Sequence, residues 1–411
     1  MTAPGVVFFL SSEWSRYHRP GLLRAVAAAT RDRGPAIVVD NPVCLATARW
    51  HRPQRWQAWR QSGAAAPRLR PVADNLWLLD AGVVLHDKLS ALLPGAPLLN
   101  RRWLGGQLRA ARRHLGLEGP WVGWYQFPTQ HHYAGRLGEA LALYECYDEH
   151  SDVPGLSRPA RQRLIGLEQR LMARCGLVFT TSRPLYEARR ASHPNVALTY
   201  NGADLDFFAP VGEQSLRRVA APRDGPLTVG YLGTIHEHTD LELMCGLAER
   251  RPDWTFSLIG PVQPGAAAGP LARLRTLPNV QLHGWVDEAD LHRLLDGVDV
   301  GVIPYRQGAR FNQFVNPNKL HEYTAMGKPV VASAGVDLSS HGGSVSTAAG
   351  VDEFVAAIEA EHAADDEAAV RRRLETARGN SWQARAQLML AHIDRTLSPA
   401  AAATVPAGVG A

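Results

Sequence analysis

Lys319 and Glu322 stand three residues apart in the stretch Asn316-Pro317-Asn318-Lys319-Leu320-His321-Glu322, so on a helix they share one face. Asn316 is a favourable helix N-cap, and Pro317 is well tolerated at the first helical position. Gly327 supplies a left-handed stop, and Lys328-Pro329 turns the chain into the apolar run Val330-Val331-Ala332. The spacing therefore predicts a short helix of about three turns feeding a buried parallel strand. Free backbone N–H groups and the positive end of the dipole make its first turn an anion site, to which Lys319 adds a full charge. A carboxylate just beyond a phosphate site, here Glu322, can accept both hydrogens of a vicinal diol such as that of a ribose. Leu320, Tyr323 and Thr324 form the stripe that packs inward. The plainer alternative is a capped surface helix whose Lys and Glu form an ion pair.

A second cluster, Asp148-Glu149-His150, follows an apolar strand ending near Tyr144. A carboxylate or imidazole there could take a proton from a hydroxyl, with His150 orienting Asp148 or acting in its place. His131-His132, after the strand at Trp121 to Trp124, is the other candidate pair. Helix capping is the competing role for Asp148.

Both clusters need α/β scaffolds to hold them. Val6 to Leu10, the helix Gly21 to Ala29 and Ala36 to Asp40 open the chain as a βαβ unit. The first loop lacks Gly-x-Gly-x-x-Gly and gives no support to dinucleotide binding. Arg16, His18 and Arg19 read as surface loop residues at the ligand-binding edge. Residues 44–115 are the least regular; Arg49-Trp50-His51-Arg52 and Arg55 to Arg60 interleave arginine with tryptophan. Leu98 to Leu115 is a basic helix containing Arg101, Arg102, Arg109, Arg112 and Arg113. Regular pattern resumes from Trp121 to Thr199. A second series follows: Leu227 to Gly233 ends in the small turn Gly233-Thr234, which lets a diphosphate approach the backbone. Trp254 to Ile259 ends in Gly260-Pro261, Val280 to Val286 contains Gly284-Trp285-Val286, and Asp299 to Ile303 leads to Pro304-Tyr305. These loops leave the carboxyl ends of parallel strands and converge on one sheet edge, which is a nucleotide-site argument in its own right.

Composition sets the bounds. A chain of 411 residues, 45% hydrophobic and 20% charged, suits two globular domains. It contains no run of 18 apolar residues, and the N-terminus enters a strand without a signal-peptide pattern. Its 4 cysteines match no metal or redox spacing and read as reduced thiols of a cytosolic protein. The formal charge of +5 is uneven: residues 1–205 carry 26 Lys+Arg against 15 Asp+Glu, leaving 18 against 24 for the remainder. The basic half suggests an anionic partner; for its Arg/Trp-rich segments a membrane surface ranks first, a solvated helix close second and nucleic acid a distant third.

The stretch from Asn316 to Ser333, with Val302 to Tyr305 before it, resembles the nucleotide-sugar signature of bacterial GT-B glycosyltransferases. Glycosyltransferase family four and related polysaccharide-assembling enzymes are the nearest resemblance, over roughly residues 5–397. It implies an α/β fold of two Rossmann-like domains facing across a cleft, with a C-terminal helix crossing back to the first domain. Residues 1–205 would bind acceptor, 206–226 link, 227–380 bind nucleotide sugar, 381–397 cross back and 398–411 form a disordered tail. The donor set implied is Gly233, Thr234, Gly260, Gly284, Trp285, Val286, Tyr305, Asn316, Pro317, Asn318, Lys319, Leu320 and Glu322, with the Gly284-Trp285-Val286 loop holding the base. Asp148, His150 and Lys319 are the catalytic candidates; the segment Tyr147 to His150 resembles one lining the acceptor cleft. In the family an earlier glutamate binds the donor sugar; its position here is Phe314, so Asn312, Gln313 or Asn316 would have to substitute.

The function this implies is transfer of a hexose-type unit from a nucleoside-diphosphate sugar to a hydroxyl of a glycan or lipid-linked acceptor, without a metal or other cofactor. The setting would be cytoplasmic, peripheral to the cell membrane. Alternatives are a nucleotide-sugar epimerase, a non-catalytic nucleotide-sugar binder, and a basic protein binding membrane or nucleic acid.

Overall fold

A computed structural model describes residues 4–44, 57, 68–85, 95–153, 155–220 and 225–398. The described residues fall into two compact units. The first draws on residues 1–181, 185–199 and 386–411, the second on 182–184 and 200–385.

The first unit comprises β1 (Gly5–Phe9), α1 (Pro20–Ala29), β2 (Ala36–Val39), β3 (Val43–Cys44), β4 (Leu69–Ala73), β5 (Leu76–Leu79), β6 (Gly82–Val83), α2 (Ala96–His114), β7 (Trp121–Tyr125), β8 (Leu141–Cys146), α3 (Arg158–Met172), β9 (Leu177–Thr180), α4 (Arg183–Arg190) and β10 (Val196–Leu198). Its main sheet runs β10-β9-β8-β7-β1-β2-β5-β4, parallel except for β4. Strands β2, β7, β8 and β9 are buried along their whole length. That is why they read as mostly apolar runs rather than as alternating ones, Glu145 in β8 being the charged exception. The stretch read as irregular holds an edge hairpin, β4 and β5, turned at Asn75 with φ 56°. Arg70 and Pro71 are exposed on its outer strand, a position where proline costs no ladder hydrogen bond and dilutes the strand signal. The Arg/Trp segment at 49–52 and nearly all of 55–60 lie outside the described residues.

The second unit contains α5 (Leu205–Ala220), β11 (Thr228–Leu232), α6 (Leu241–Arg250), β12 (Thr255–Ile259), α7 (Ala268–Leu274), β13 (Val280–Gly284), α8 (Glu288–Gly297), β14 (Val300–Ile303), α9 (Asn318–Ala325), β15 (Val330–Ser333), β16 (Ser346–Ala348), α10 (Val351–Ala363) and α11 (Glu367–Gly379). Its sheet is all parallel, in the order β13-β12-β11-β14-β15-β16. The stretch expected as a linker is corrected here: α5 occupies most of 206–226. Phe208 and Val211 give that helix a buried face in one core cluster with Leu320 and Tyr323, despite Pro210 inside it. Tertiary packing outweighs the linker-like composition that follows it.

The last helix, α12 (Trp382–Leu397), begins in the second unit, and from Ala386 its residues group with the first. There Arg33 forks onto Asp394 at 2.9 and 3.1 Å, and the Asn195 amide reaches the Thr396 hydroxyl at 3.2 Å. The tail expected to be disordered lies, from 399 onward, outside the described residues.

Candidate functional site

Helix α9 is fixed to its sheet by one tyrosine. Tyr323 Oη donates to the Gly230 carbonyl and accepts from the Leu232 amide, both at 2.8 Å. Its ring lies over Gly301, where a Cβ would come within 2.7 Å of ring carbons. Leu320 and Thr324 are buried beside it, so the remaining face, with Lys319 and Glu322, points outward from the core. The helix has eight residues and starts at Asn318, shorter than the three turns the sequence suggested. Asn316 does not cap it. Its Oδ1 accepts from the Asn201 backbone N–H at 3.1 Å and the His321 Nε2–H at 2.8 Å, while its Nδ2 donates to the Asp337 carbonyl at 2.9 Å. Asn316 is thus a buried brace for the helix entry, with its amide already satisfied. Pro317 is buried behind it, and Asn318 Oδ1 is buried without a partner among the described residues.

Lys319 is the centre of the arrangement. Its Nζ donates to Tyr305 Oη at 3.3 Å and lies 5.2 Å from the Tyr231 ring centroid and 5.5 Å from that of Tyr305. Among the described residues no carboxylate stands within 4.0 Å of that ammonium, and the Glu322 carboxylate accepts no hydrogen bond. The helical Lys–Glu ion pair considered from sequence therefore does not form. Burial disfavours the charge on Lys319, but Tyr231, Tyr305 and Glu322 together outweigh it and hold the pKa above the ordinary lysine value. Burial raises the pKa of Glu322, against the pull of Lys319.

Glycine lets the lysine come this close. Gly233 has φ 120°, and a Cβ there would lie 2.8 Å from Lys319 Cε and 2.9 Å from Nζ. The neighbouring turn is as tight, since a Cβ on Gly260 would sit 2.3 Å from the Gly233 carbonyl oxygen. The isolated bridges Ile235–Val262, Thr239–Tyr305 and Gly260–Gly284 knit the loops after β11, β12, β13 and β14 together. Gly233, Thr234, Gly260, Gly284 and Tyr305 thus converge with the start of α9 on the carboxyl edge of one sheet. Trp285 projects beside them, 78% exposed, while half-buried Val286 packs against the core.

The first unit has its own cluster on the carboxyl edge of its sheet. Beyond β8, Glu149 is committed to Arg189 at 2.7 Å, and Arg189 also forks onto Glu168. Glu145 is committed to Arg19 at 2.7 Å and accepts from Trp124 Nε1 and Gln126 Nε2. Arg19 is therefore a buried structural cation and not a surface loop residue; Arg16 and His18 are exposed. Asp148 remains without a side-chain hydrogen bond among the described residues. Shielding from water pushes its carboxyl up to about 7, with Arg19 opposing and Glu149 reinforcing the shift. His150 is buried between Phe127 and Tyr147, its Nε2 lacks a partner among the described residues, and burial holds its pKa down to about 4. The His131 and His132 rings lie tilted against each other with centroids 3.8 Å apart, and His131 is likewise pulled down to about 4, chiefly by burial and then by His132.

Residues 227–363 match the family model described as glycosyl transferases group 1. The matched stretch lies wholly within the second unit. A curated relative, TuaH of Bacillus subtilis (strain 168), is 29% identical over 221 residues, 51% of this chain and 54% of that protein. Its name assigns it to teichuronic acid biosynthesis as a glycosyltransferase. The chain spans about half the length of that relative. Across nearly the whole chain, sucrose-phosphate synthase from Thermosynechococcus elongatus superposes with a TM-score of 0.66 at 16% identity, covering 97% of this chain and 100% of that one. Anabaena HepE, solved in complex with UDP and glucose, superposes with a TM-score of 0.62 at 15% identity, covering 95% and 99%. The fold is GT-B, with two Rossmann-like domains.

Two further features of the second unit bear on the site, and the first was not singled out from sequence. His236 and His238 lie in the loop after β11, with His236 Nδ1 accepting from the His238 backbone N–H at 3.1 Å. The His236 ring proton therefore sits on Nε2. His236 is brought down to about 4 by burial, then by Lys319 and His238, so it is a neutral donor at pH 7. The His-x-His spacing two residues after Gly233-Thr234 was the available signal. The second feature is the division of labour around Phe314: Asn312 is buried and donates to the Arg306 carbonyl at 2.8 Å, whereas Gln313 is exposed. Among the described residues no group of three His, Cys, Asp or Glu is placed to hold a metal ion.

Proposed function

We propose that this chain transfers a sugar from a nucleoside-diphosphate sugar to a hydroxyl of a glycan or lipid-linked acceptor. The observation that carries the reading is the Lys319 ammonium, shielded at the start of α9 against the Gly233 turn, where a tyrosine hydroxyl and two ring faces are its neighbours and, among the described residues, no carboxylate pairs with it. A shielded cation without a counter-ion is a site prepared for an anion. Backbone N–H groups of α9, its dipole and Lys319 would receive the diphosphate and stabilise its charge as it leaves, without calling on a metal. Glu322, one turn further on, would accept the ribose diol. Exposed Gln313 is the better placed of the polar neighbours to meet the donor sugar where Phe314 cannot. HepE holds UDP and glucose, which puts UDP-sugars first among donors to try. TuaH, named for teichuronic acid biosynthesis, supports an acceptor belonging to polysaccharide assembly.

The experiment is an assay of sugar transfer with and without acceptor, alongside donor titrations of the wild type and Glu322→Ala. Donor affinity should fall by about 1.5–3 kcal/mol in the variant, the usual range for a hydrogen bond to a charged group. Donor turnover without any acceptor would point to an epimerase instead, and unchanged affinity would remove Glu322 from the site.

Trp285 is assigned to the base. A fully presented indole offers a stacking face, and base–aromatic stacking is worth about 1–3 kcal/mol by alanine substitution. Trp285→Ala should therefore weaken nucleotide binding by about five- to a hundredfold. Because the side chain is exposed, the melting temperature should barely move. Nucleotide titration of the variant, with a thermal melt as control, checks both halves.

A further inference from the structure

Helix α2 contains five arginines and a histidine but not one acidic residue across Ala96–His114. Its inner face is pinned. The Asn100 side chain bonds both backbone groups of Leu85, at 3.0 and 2.7 Å, and Gln107 bonds both backbone groups of Gly82, at 2.9 and 2.8 Å. Ala96, Leu104, Leu108 and Ala111 are buried on that side, so the outer face is fixed in direction. At 3.6 residues per turn, Leu98, Leu99, Trp103, Arg102, Arg109 and Arg113 fall within one outward arc of about 140°. All six are exposed; Leu98 stands at 42%, Leu99 at 47% and Trp103 at 42%. These three are large apolar side chains that ordinary packing would have turned inward.

We propose that this face of α2 docks the protein on an anionic lipid bilayer. The apolar residues cluster in the first two turns and would enter the acyl boundary, while the arginines pair with headgroup phosphates. Tryptophan suits the interface because one part of its ring system is apolar and the other donates a hydrogen bond. Charge selects among occupants. A second copy of the same arginine face would be repelled, and a nucleic acid would satisfy the arginines but leave two leucines in water. The net excess of 11 positive charges over residues 1–205 adds a long-range attraction of the same sign. The inference goes beyond sugar transfer and does not depend on it. Leu104 of the same helix, with Phe9, Val39, Phe127 and Tyr133, lines a recess at the carboxyl edge of the first sheet, so docking would bring that edge close to lipid-borne substrates.

Flotation of the full chain with vesicles tests this, using equal parts phosphatidylglycerol and phosphatidylcholine against pure phosphatidylcholine. The protein should float with the anionic vesicles at low salt, not with the neutral ones, and binding should weaken at about 0.5 M NaCl. The triple variant Arg102→Glu/Arg109→Glu/Arg113→Glu should lose about a hundredfold or more in vesicle affinity. Leu98→Ser/Leu99→Ser/Trp103→Ser should lose affinity for the anionic vesicles while keeping every arginine. Unchanged nucleotide binding by both variants would show that they fold, and keeps this test separate from that of the donor site. The proposal is overturned if the wild type stays unbound at low salt, if neutral vesicles bind it equally, or if both variants float like wild type. It is also overturned if single-stranded RNA captures the protein where anionic vesicles do not.

Discussion

Replacing Asp148 with asparagine should lower turnover by about two to four orders of magnitude while leaving donor affinity at the wild-type value. The expectation rests on which group in the first unit is both free and basic. Glu145 and Glu149 are held by arginines, and His150 and His131 are kept near 4 by burial. Asp148, pushed up to about 7, is the strongest base of the set by roughly three pKa units. Wild-type turnover should therefore rise with pH, reaching half its limit near 7, because only the ionised carboxylate can take the acceptor proton. The same shift has a stability signature with a definite sign. A carboxyl whose pKa is raised on folding contributes stability that is full below the unfolded value of 3.8 and is lost as pH rises through about 7. Asp148→Asn should thus be more stable than wild type at pH 8, by at most about 4 kcal/mol. A merely capping Asp148 would give the opposite result, a destabilised variant with near-normal turnover. If His150→Ala carries the loss instead, the proton goes to the imidazole.

Lys319→Ala should cut turnover by about a hundred- to a thousandfold, as removal of a donor aimed at developing charge does elsewhere. Donor affinity should fall by much less, because the diphosphate gains charge only as the sugar departs. Lys319→Arg should not rescue it. The Gly233 turn packs on Lys319 Cε and Nζ with no room even for a Cβ, and a planar guanidinium is larger than an ammonium. Single-turnover rates beside equilibrium titrations separate the two effects. An equal loss in affinity and turnover would mean that Lys319 binds ground state and transition state alike.

The fold was legible because both sheets are covered on two faces. Runs such as Ala36–Val39 and Val300–Ile303 are apolar throughout, and no other element explains them. The helix carrying Lys319 was legible from its ends, and Gly327 does take φ 67° after it. What failed was local chemistry overridden from far away in the chain. Asn316 has the right side chain for a cap, but Asn201, 115 residues earlier, takes its oxygen and its carbonyl. Arg19 looked like a loop cation until Glu145, across the sheet, claimed it. No spacing rule reaches either partner. The strand β4 was hidden for a different reason: an edge strand with Arg70 and Pro71 facing water has no apolar pattern to read. His236 was overlooked because a His-x-His pair in a loop acquires meaning only when Lys319 comes alongside it.

The most direct measurement is a crystal structure of the chain with its preferred nucleoside diphosphate, chosen from a thermal-shift panel of UDP, GDP and dTDP. The ribose diol should lie on Glu322, the diphosphate between the Gly233 turn, the first turn of α9 and Lys319 Nζ, and the base against Trp285. A nucleotide bound elsewhere, or a diphosphate that leaves Lys319 paired only with Tyr305, would contradict the assignment of this edge as the donor site.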